Sequence, residues 1–320
     1  MGWRSTIIAG SLLLAALPVH AEEPAEQWVQ KMVTASRQAS FQGHSVLLSG
    51  GKVTSLAIYH APVENEVWER VVHLSGEPAE ILRKGSSISC LHPGVTSRLE
   101  VGRSPLGKLS ALEESTQAVS RYYRFKRSGG ERVAGRDGVR IDVEPLDGHR
   151  FGYSLWLDEA SGVLLKSQTN PPEGDPLEVF EFVSVDIGNP VPLSAFEPAV
   201  ELQEGAIELV SEAASAEASD NSGWETRWLP DGFRQAGRTT SRADKPERSA
   251  RVFTDGLAAF TVFFEPGKPG VRETTRAHGA TVAVNRVLDE GRSVVTVVGE
   301  IPLATASRVA ENVAVLEGRP

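Results

Sequence analysis

The sequence predicts a mainly β, α+β protein in which a large, strongly curved antiparallel sheet holds a helix in its concavity and a small α+β domain follows. Three observations predict it. Short runs alternating apolar and polar residues recur from Ser45 to Ile187, each closed by turn residues, which is the pattern of an antiparallel meander and not of βαβ units. An amphipathic segment precedes them. An acidic stretch of small residues then leads into a second, shorter set of alternating runs that ends in a helical pattern.

The first residues, MGWRSTIIAGSLLLAALPVHA, combine Arg4, an apolar run from Ile7 to Leu17 and the small-residue site Val19-His20-Ala21. This is the secretory signal pattern, too short to span a bilayer, with cleavage expected after Ala21. The single cysteine, Cys90, is far from any lipobox position and cannot form an internal disulfide, so the exported chain is expected to carry no lipid anchor and to hold together by burial. No later run approaches the roughly 18 apolar residues of a spanning helix.

The chain has 33 basic and 42 acidic residues, net −9, and loss of Arg4 with the signal peptide makes it −10. Trp224 to Pro320 holds 14 basic and 12 acidic residues, net +2, which leaves −12 on residues 22–223. An acidic body with a mildly basic end argues against a nucleic-acid partner.

Taken in order, Glu22 to Ala39 sets Trp28, Met32, Val33 and Ala35 at helical spacing, with Lys31 and Arg37 elsewhere, and one amphipathic helix is predicted. SVLLS and VTSLAIYH flank Gly50-Gly51, a pair able to take the positive φ of a tight hairpin turn. EVWERVVHL, PAEILRK and SISCLH follow, separated by Ser75-Gly76 and Lys84-Gly85-Ser86; Ser104 to Ser115 reads as a loop or a helical interruption. Strands resume as AVSRYYRFKR, RVAGRDGVRIDVEPL, RFGYSLWLD, VLLKSQT and LEVFEFVSVDI. Phe151, Tyr153, Leu155 and Leu157 give one of these an apolar face, and Trp156 puts a large ring on the other.

Glu197 to Glu225 contains eight acidic residues and no basic one. It reads as a linker, with a short exposed helix carrying Glu201, Glu208 and Glu212 as the alternative. The predicted organisation is therefore a signal peptide at 1–21, a large domain at 22–203, an acidic flexible linker at 204–223 and a small domain at 224–320. In the last, FTDGLAAFTVFFE and TVAVNRVLDE read as a strand pair, RSVVTVVGE as a further strand and IPLATASRVAENVAVL as a helix.

Catalytic motifs are missing from the sequence. There is no G-x-S-x-G elbow, phosphate-binding loop or dinucleotide fingerprint, and no H-x-x-x-H or H-E-x-x-H pair among the seven histidines. Cys90 and His92 share a strand face but make only half a metal site, so neither metal nor cofactor is expected, and the chain reads as a non-enzyme. Two cationic segments stand out. RYYRFKR offers Arg121 and Arg124 among aromatics, either for an anionic partner or as the charges that keep an edge strand soluble. RQAGRTTSRADKPERSAR offers Arg234, Arg238 and Arg242 in what reads as a basic loop leading into a strand, the place expected to meet an anionic group.

FQGHSVLLSGGKVTSLAIYHA, ERVVHLSGEPAEILRKGSSISCLHPG and GYSLWLDEASGVLLKSQT, then TRWLPDGFR and FTDGLAAFTVFFEP, resemble the periplasmic sigma-E regulatory proteins of the MucB/RseB family over nearly the whole mature chain. The resemblance implies a periplasmic binding protein whose large domain is an unclosed β-barrel, similar to lipoprotein carriers, with helices in its mouth. It implies that the small domain, helped by the large one, grips the periplasmic part of a single-pass anti-sigma factor and shields it from the first protease of a cascade. It implies that acylated lipid, as lipoprotein or lipopolysaccharide, promotes release, with alginate control as one downstream outcome if the source resembles a pseudomonad. Leu56, Ile58, Trp68, Leu82, Phe151, Tyr153 and Leu155 are then the lipid-lining candidates, with ordinary core as the alternative for each. A lipoprotein or glycolipid carrier without a regulatory role is the competing reading, and homo-oligomerisation stays open.

Overall fold

The computed structural model describes residues 23–85, 87–91, 119–199, 208–210, 223–242 and 245–316. The expected signal peptide, the Ser104–Ser115 segment, His92 and most of the acidic stretch lie outside these residues.

One helix, α1 (Ala25–Gln38), precedes a run of antiparallel strands. These are β1 (Phe41–Ser49), β2 (Lys52–Val63), β3 (Glu66–His73), β4 (Glu80–Lys84), β5 (Ser87–Leu91), β6 (Tyr123–Val133), β7 (Arg136–Pro145), β8 (Gly152–Asp158), β9 (Leu164–Asn170), β10 (Glu178–Ile187) and β11 (Glu208–Val210). They form one sheet in the order β11-β5-β4-β3-β2-β1-β10-β9-β8-β7-β6, with β6 and β11 at its two ends among the described residues, so the barrel is unclosed. Gly50 and Gly51 both take positive φ, 57° and 77°, in the β1–β2 turn, where a side chain would be strained. Within the span read as linker, β11 pairs with β5.

The apolar stripe of α1 explains the curvature. Trp28, Val29, Met32 and Val33 pack in one cluster with Tyr123, Phe125, Ile141, Tyr153 and Leu155 from β6–β8. Ala35, near the C-terminal end of the helix, packs in another with Leu56, Ile58, Val71, Phe180 and Phe182 from β2, β3 and β10. A single helix can touch strands at one edge of the sheet order and others six places away only if the sheet wraps around it. Lys31 fixes the helix lengthwise by donating to the Glu159 carbonyl at 2.6 Å. Among the described residues, α1 is the one helix in this concavity.

The opposite face has its own cover. Tyr59, Ala61, Trp68 and Leu82 pack with Val191 and Phe196 of a strap that follows β10, and the Trp68 and Phe196 rings meet edge-on at 5.9 Å. Arg70 holds that strap through Glu80 at 2.8 Å and the Ala195 carbonyl at 3.0 Å. Trp156, whose odd place in the β8 alternation is visible in the sequence, is buried with Val133 and Leu165 while Arg140 and Lys166 stack on its ring.

The small domain is a six-stranded sheet in the order β13-β14-β15-β18-β17-β16, from β13 (Arg234–Arg242), β14 (Lys245–Thr254), β15 (Ala259–Pro266), β16 (Thr274–His278), β17 (Thr281–Leu288) and β18 (Ser293–Gly299). The helix α2 (Leu303–Glu311) lies on it, and β12 (Trp224–Thr226) pairs with β19 (Val313–Val315). Its core centres on Trp224, whose indole donates to Ser249 at 2.7 Å and stacks between Arg251 and Phe264.

Four expectations are corrected. The strand expected from Ala118 begins at Tyr123, because Val119 to Tyr122 form a turn closed by the Tyr122 amide on the Val119 carbonyl. The basic segment is strand β13 and the start of β14, since pairing with a neighbour satisfies its backbone regardless of its charged side chains. FTDGLAAFTVFFE is not one strand: Asp255 to Ala258 make the turn between β14 and β15. The C-terminal helix ends at Glu311, and Val313 to Val315 leave it to pair with β12.

His60 of β2 is buried on the α1 face, stacked on Phe41 at 4.5 Å, with Nδ1 3.0 Å from the Ala39 carbonyl. Burial holds its pKa below the ordinary value, so the folded state keeps the ring neutral. Below the ordinary histidine pKa of about 6.5 the unfolded chain takes up a proton that the folded chain resists, and stability is lost as pH falls through that window. In thermal melts the loss of Tm between about pH 7.5 and about pH 5.5 is expected to be shallower for His60→Gln than for wild type; parallel losses would discharge His60 from this role.

Candidate functional site

The sheet and the small domain meet around Arg150, in the loop between β7 and β8, a side chain with no exposed surface. Its Nε donates to Asp255 Oδ2 at 2.5 Å, and its other nitrogens donate to the Asp147 carboxylate and to the Asp231 carbonyl. The guanidinium also faces the rings of Tyr122, Tyr123 and Phe233, 4.8, 5.8 and 5.0 Å from their centroids. Burial opposes its charge, but the hydrogen bonds to Asp255 and Asp147 prevail and hold it protonated above the ordinary arginine range. Asp147, Tyr122 and Tyr123 belong to the large domain and Asp231, Phe233 and Asp255 to the small one, so this one cation bridges the two cores.

Asp255 uses both of its oxygens. Oδ2 accepts from Arg150 and from the Tyr123 hydroxyl at 3.1 Å, whereas Oδ1 accepts the backbone N–H groups of Leu257 and Ala258, each at 2.8 Å. Burial pushes the Tyr123 hydroxyl well above its ordinary pKa, which keeps it a donor. Gly256 sits at φ 100° with Val119 against the place a Cβ would take, so the turn admits only glycine there without strain. Leu257, 3% exposed, enters the cluster built by α1 with β6–β9 and is the one small-domain residue among its buried members.

Two further contacts flank this node. His149 Nδ1 lies 3.1 Å from Thr305 Oγ1, and its ring meets Trp228, which Arg308 covers. At the other end, Gly279 and His278 of the β16–β17 turn pack against Ser49 and Gly50 of the β1–β2 turn.

The residues singled out by alternation divide. Leu56, Ile58, Tyr153 and Leu155 are buried on the α1 face, Tyr153 and Leu155 in the cluster that receives Leu257 and Leu56 and Ile58 in its neighbour. Trp68 and Leu82 lie on the opposite face under the Phe196 strap, and Phe151 is buried just ahead of β8. The seven therefore do not line one surface, because period-two alternation does not say which face of a curled sheet is inside. Arg121 is in the turn before β6, and Arg124 is exposed on that edge strand with Glu144 at 3.7 Å. Arg234, Arg238 and Arg242 lie along β13, an edge of the small sheet. Arg150 and Asp255 escaped the sequence reading; the one trace is a charged residue in the turn that leads into an apolar strand, β8 for Arg150 and β15 for Asp255. Among the described residues no three His, Cys, Asp or Glu side chains gather as metal ligands.

The sequence model of the MucB/RseB N-terminal domain matches residues 24–200, and that of the MucB/RseB C-terminal domain matches residues 218–314. The chain belongs to the MucB/RseB family. A relative named sigma factor AlgU regulatory protein MucB, from Pseudomonas aeruginosa, is 33% identical over 315 residues, covering 96% of this chain and 95% of its own. The sigma-E factor regulatory protein RseB of Escherichia coli K12 is 26% identical over 312 residues, covering 96% of each. Among solved structures, the Pseudomonas aeruginosa MucA/MucB complex contains a chain that is 29% identical with a TM-score of 0.72, covering 92% of this chain and 99% of that one. MucB crystallised alone gives 28% identity and a TM-score of 0.66, covering 90% and 97%. The MucB/RseB likeness thus embraces both domains of this chain.

Removing one partner of a buried ion pair leaves the other charge uncompensated, at a cost of about 3–5 kcal/mol. Asp255→Ala is expected to loosen this junction, read as faster amide exchange at Tyr122 and Leu257, while Arg124→Ala on the exposed edge leaves exchange there unchanged. Equal protection in Asp255→Ala and wild type would show that the ion pair does not hold the domains.

Proposed function

We propose that this chain is a periplasmic negative regulator of an envelope-stress response of the sigma-E type. It binds the periplasmic domain of a single-pass anti-sigma factor, shields that domain from the first protease of a cascade and releases it in response to acylated lipid. The observation that carries the reading is the match of both family domains in order, together with solved relatives in which MucB is in complex with MucA(peri). Residues 1–21, read as a cleaved signal peptide, would deliver the chain to the compartment where that partner lies. No helix among the described residues is long and apolar enough to cross a membrane.

The arrangement suits a regulator more than a catalyst. Two domains joined at a small buried polar node can exist in docked and undocked arrangements, and a ligand that prefers one of them shifts the balance by its difference in affinity. Beyond the node, the small domain presents the edge strand β13, with Arg234, Arg238 and Arg242, to an anionic segment. A carrier without a regulatory role would have no use for this second domain.

Native mass spectrometry of the mature chain with the periplasmic segment of the anti-sigma factor from the same organism tests the reading. A one-to-one or higher complex that dissociates when lysophospholipid is added is expected. Lipid binding with no protein complex at micromolar concentration would make the chain a carrier instead. Reversing Arg238 and Arg242 to Glu is expected to weaken the complex about tenfold, the size of a few close charge contacts, and an unchanged complex would take β13 out of the interface.

A further inference from the structure

The turn Asp255-Gly256-Leu257-Ala258 presents two chemistries to the large domain at once. Its carboxylate goes to a fully buried guanidinium and a tyrosine hydroxyl, and two residues later its leucine goes into the apolar cluster beside α1. An anion joined to a short hydrocarbon is the plan of a single-chain anionic amphiphile. We propose that this turn is an internal mimic of such a ligand: the hole filled by Leu257 is an acyl-chain site, Arg150 with Tyr123 is its headgroup site, and the small domain must undock before a lipid can occupy them.

The physical reasons are these. Close packing leaves no room for Leu257 and an acyl chain together, so the two occupants exclude one another. When the turn withdraws, it uncovers an apolar hole next to Val119 and Tyr123, and such holes stay dry and take hydrocarbon. Withdrawal also deprives Arg150 of Asp255, leaving it Asp147 alone as an acidic partner from its own domain. An arginine that has lost its carboxylate partner offers its planar fork to a replacement anion, which selects a carboxylate or phosphate headgroup over an uncharged one. The same ion pair keeps the docked state discrete, so the domains are docked or released rather than slightly loosened.

This inference rests on the lipid-responsive reading above and adds to it the place and the charge of the ligand. The test is titration calorimetry of the full mature chain with laurate and with dodecanol, for wild type, Leu257→Ala and Leu257→Met. Laurate is expected to bind Leu257→Ala at least about fivefold more tightly than wild type, the lower end of ordinary coupling between sites. Leu257→Met, which refills the space, should return to the wild-type affinity, separating displacement from misfolding. Laurate should bind more tightly than dodecanol, and saturating it should raise the radius of gyration of wild type in solution scattering.

Equal laurate affinity in wild type and Leu257→Ala would overturn the plug while leaving lipid responsiveness standing. Equal affinity for laurate and dodecanol would overturn the headgroup assignment to Arg150. Binding of neither probe to any of the three chains would overturn the lipid-responsive reading and the plug with it.

Discussion

The Arg150–Asp255 ion pair is the contact on which the two-domain arrangement depends. Both side chains are withdrawn from water, and each has its remaining hydrogen-bonding capacity met: Asp147 and the Asp231 carbonyl on one side, Tyr123 and two turn amides on the other. A buried pair of this kind adds little net stability over apolar packing but is costly to half-break. That asymmetry makes the junction geometrically specific, since within this chain Arg150 has its full set of partners when the β14–β15 turn is seated.

The large domain makes that seat. Its sheet curls around α1 because the helix carries apolar residues enough to satisfy strands at the β6 edge and strands in the middle of the sheet order. The curl places the start of β6 and the β7–β8 loop side by side, and these supply Tyr122, Tyr123, His149 and Arg150 to the junction. The sheet's other face is covered in part by the Phe196 strap and by the cations stacked on Trp156, and the apolar interior meets the small domain through the cluster that Leu257 enters. Membership of the MucB/RseB family gives this architecture a regulatory setting.

Much of the fold was legible in residue pattern. Alternation at Phe151 to Leu157, the Gly50-Gly51 turn and the helical spacing of Trp28 and Met32 each report a local periodicity, and local periodicity survives into structure wherever one face is buried. The places where it misled have one cause. RQAGRTTSR reads as a loop because its side chains are polar, yet an edge strand is held by backbone pairing that side chains do not reveal. FTDGLAAFTVFFE reads as a strand because it is apolar, yet Leu257 and Ala258 are apolar for the sake of two different cores.

The sequence by itself determined the fold class, the first helix and most strands of the large domain, the division into an acidic and a mildly basic part, and, through resemblance along its whole length, the family. Which strands face α1, which lie under the strap, and the meeting of Arg150 with Asp255 across 105 residues were decided only by the tertiary structure. The physical reason is that periodicity and turn chemistry act over a few neighbouring residues, whereas the satisfaction of a buried charge is a requirement on space, met by whichever residues the curled sheet and the docked domain bring together.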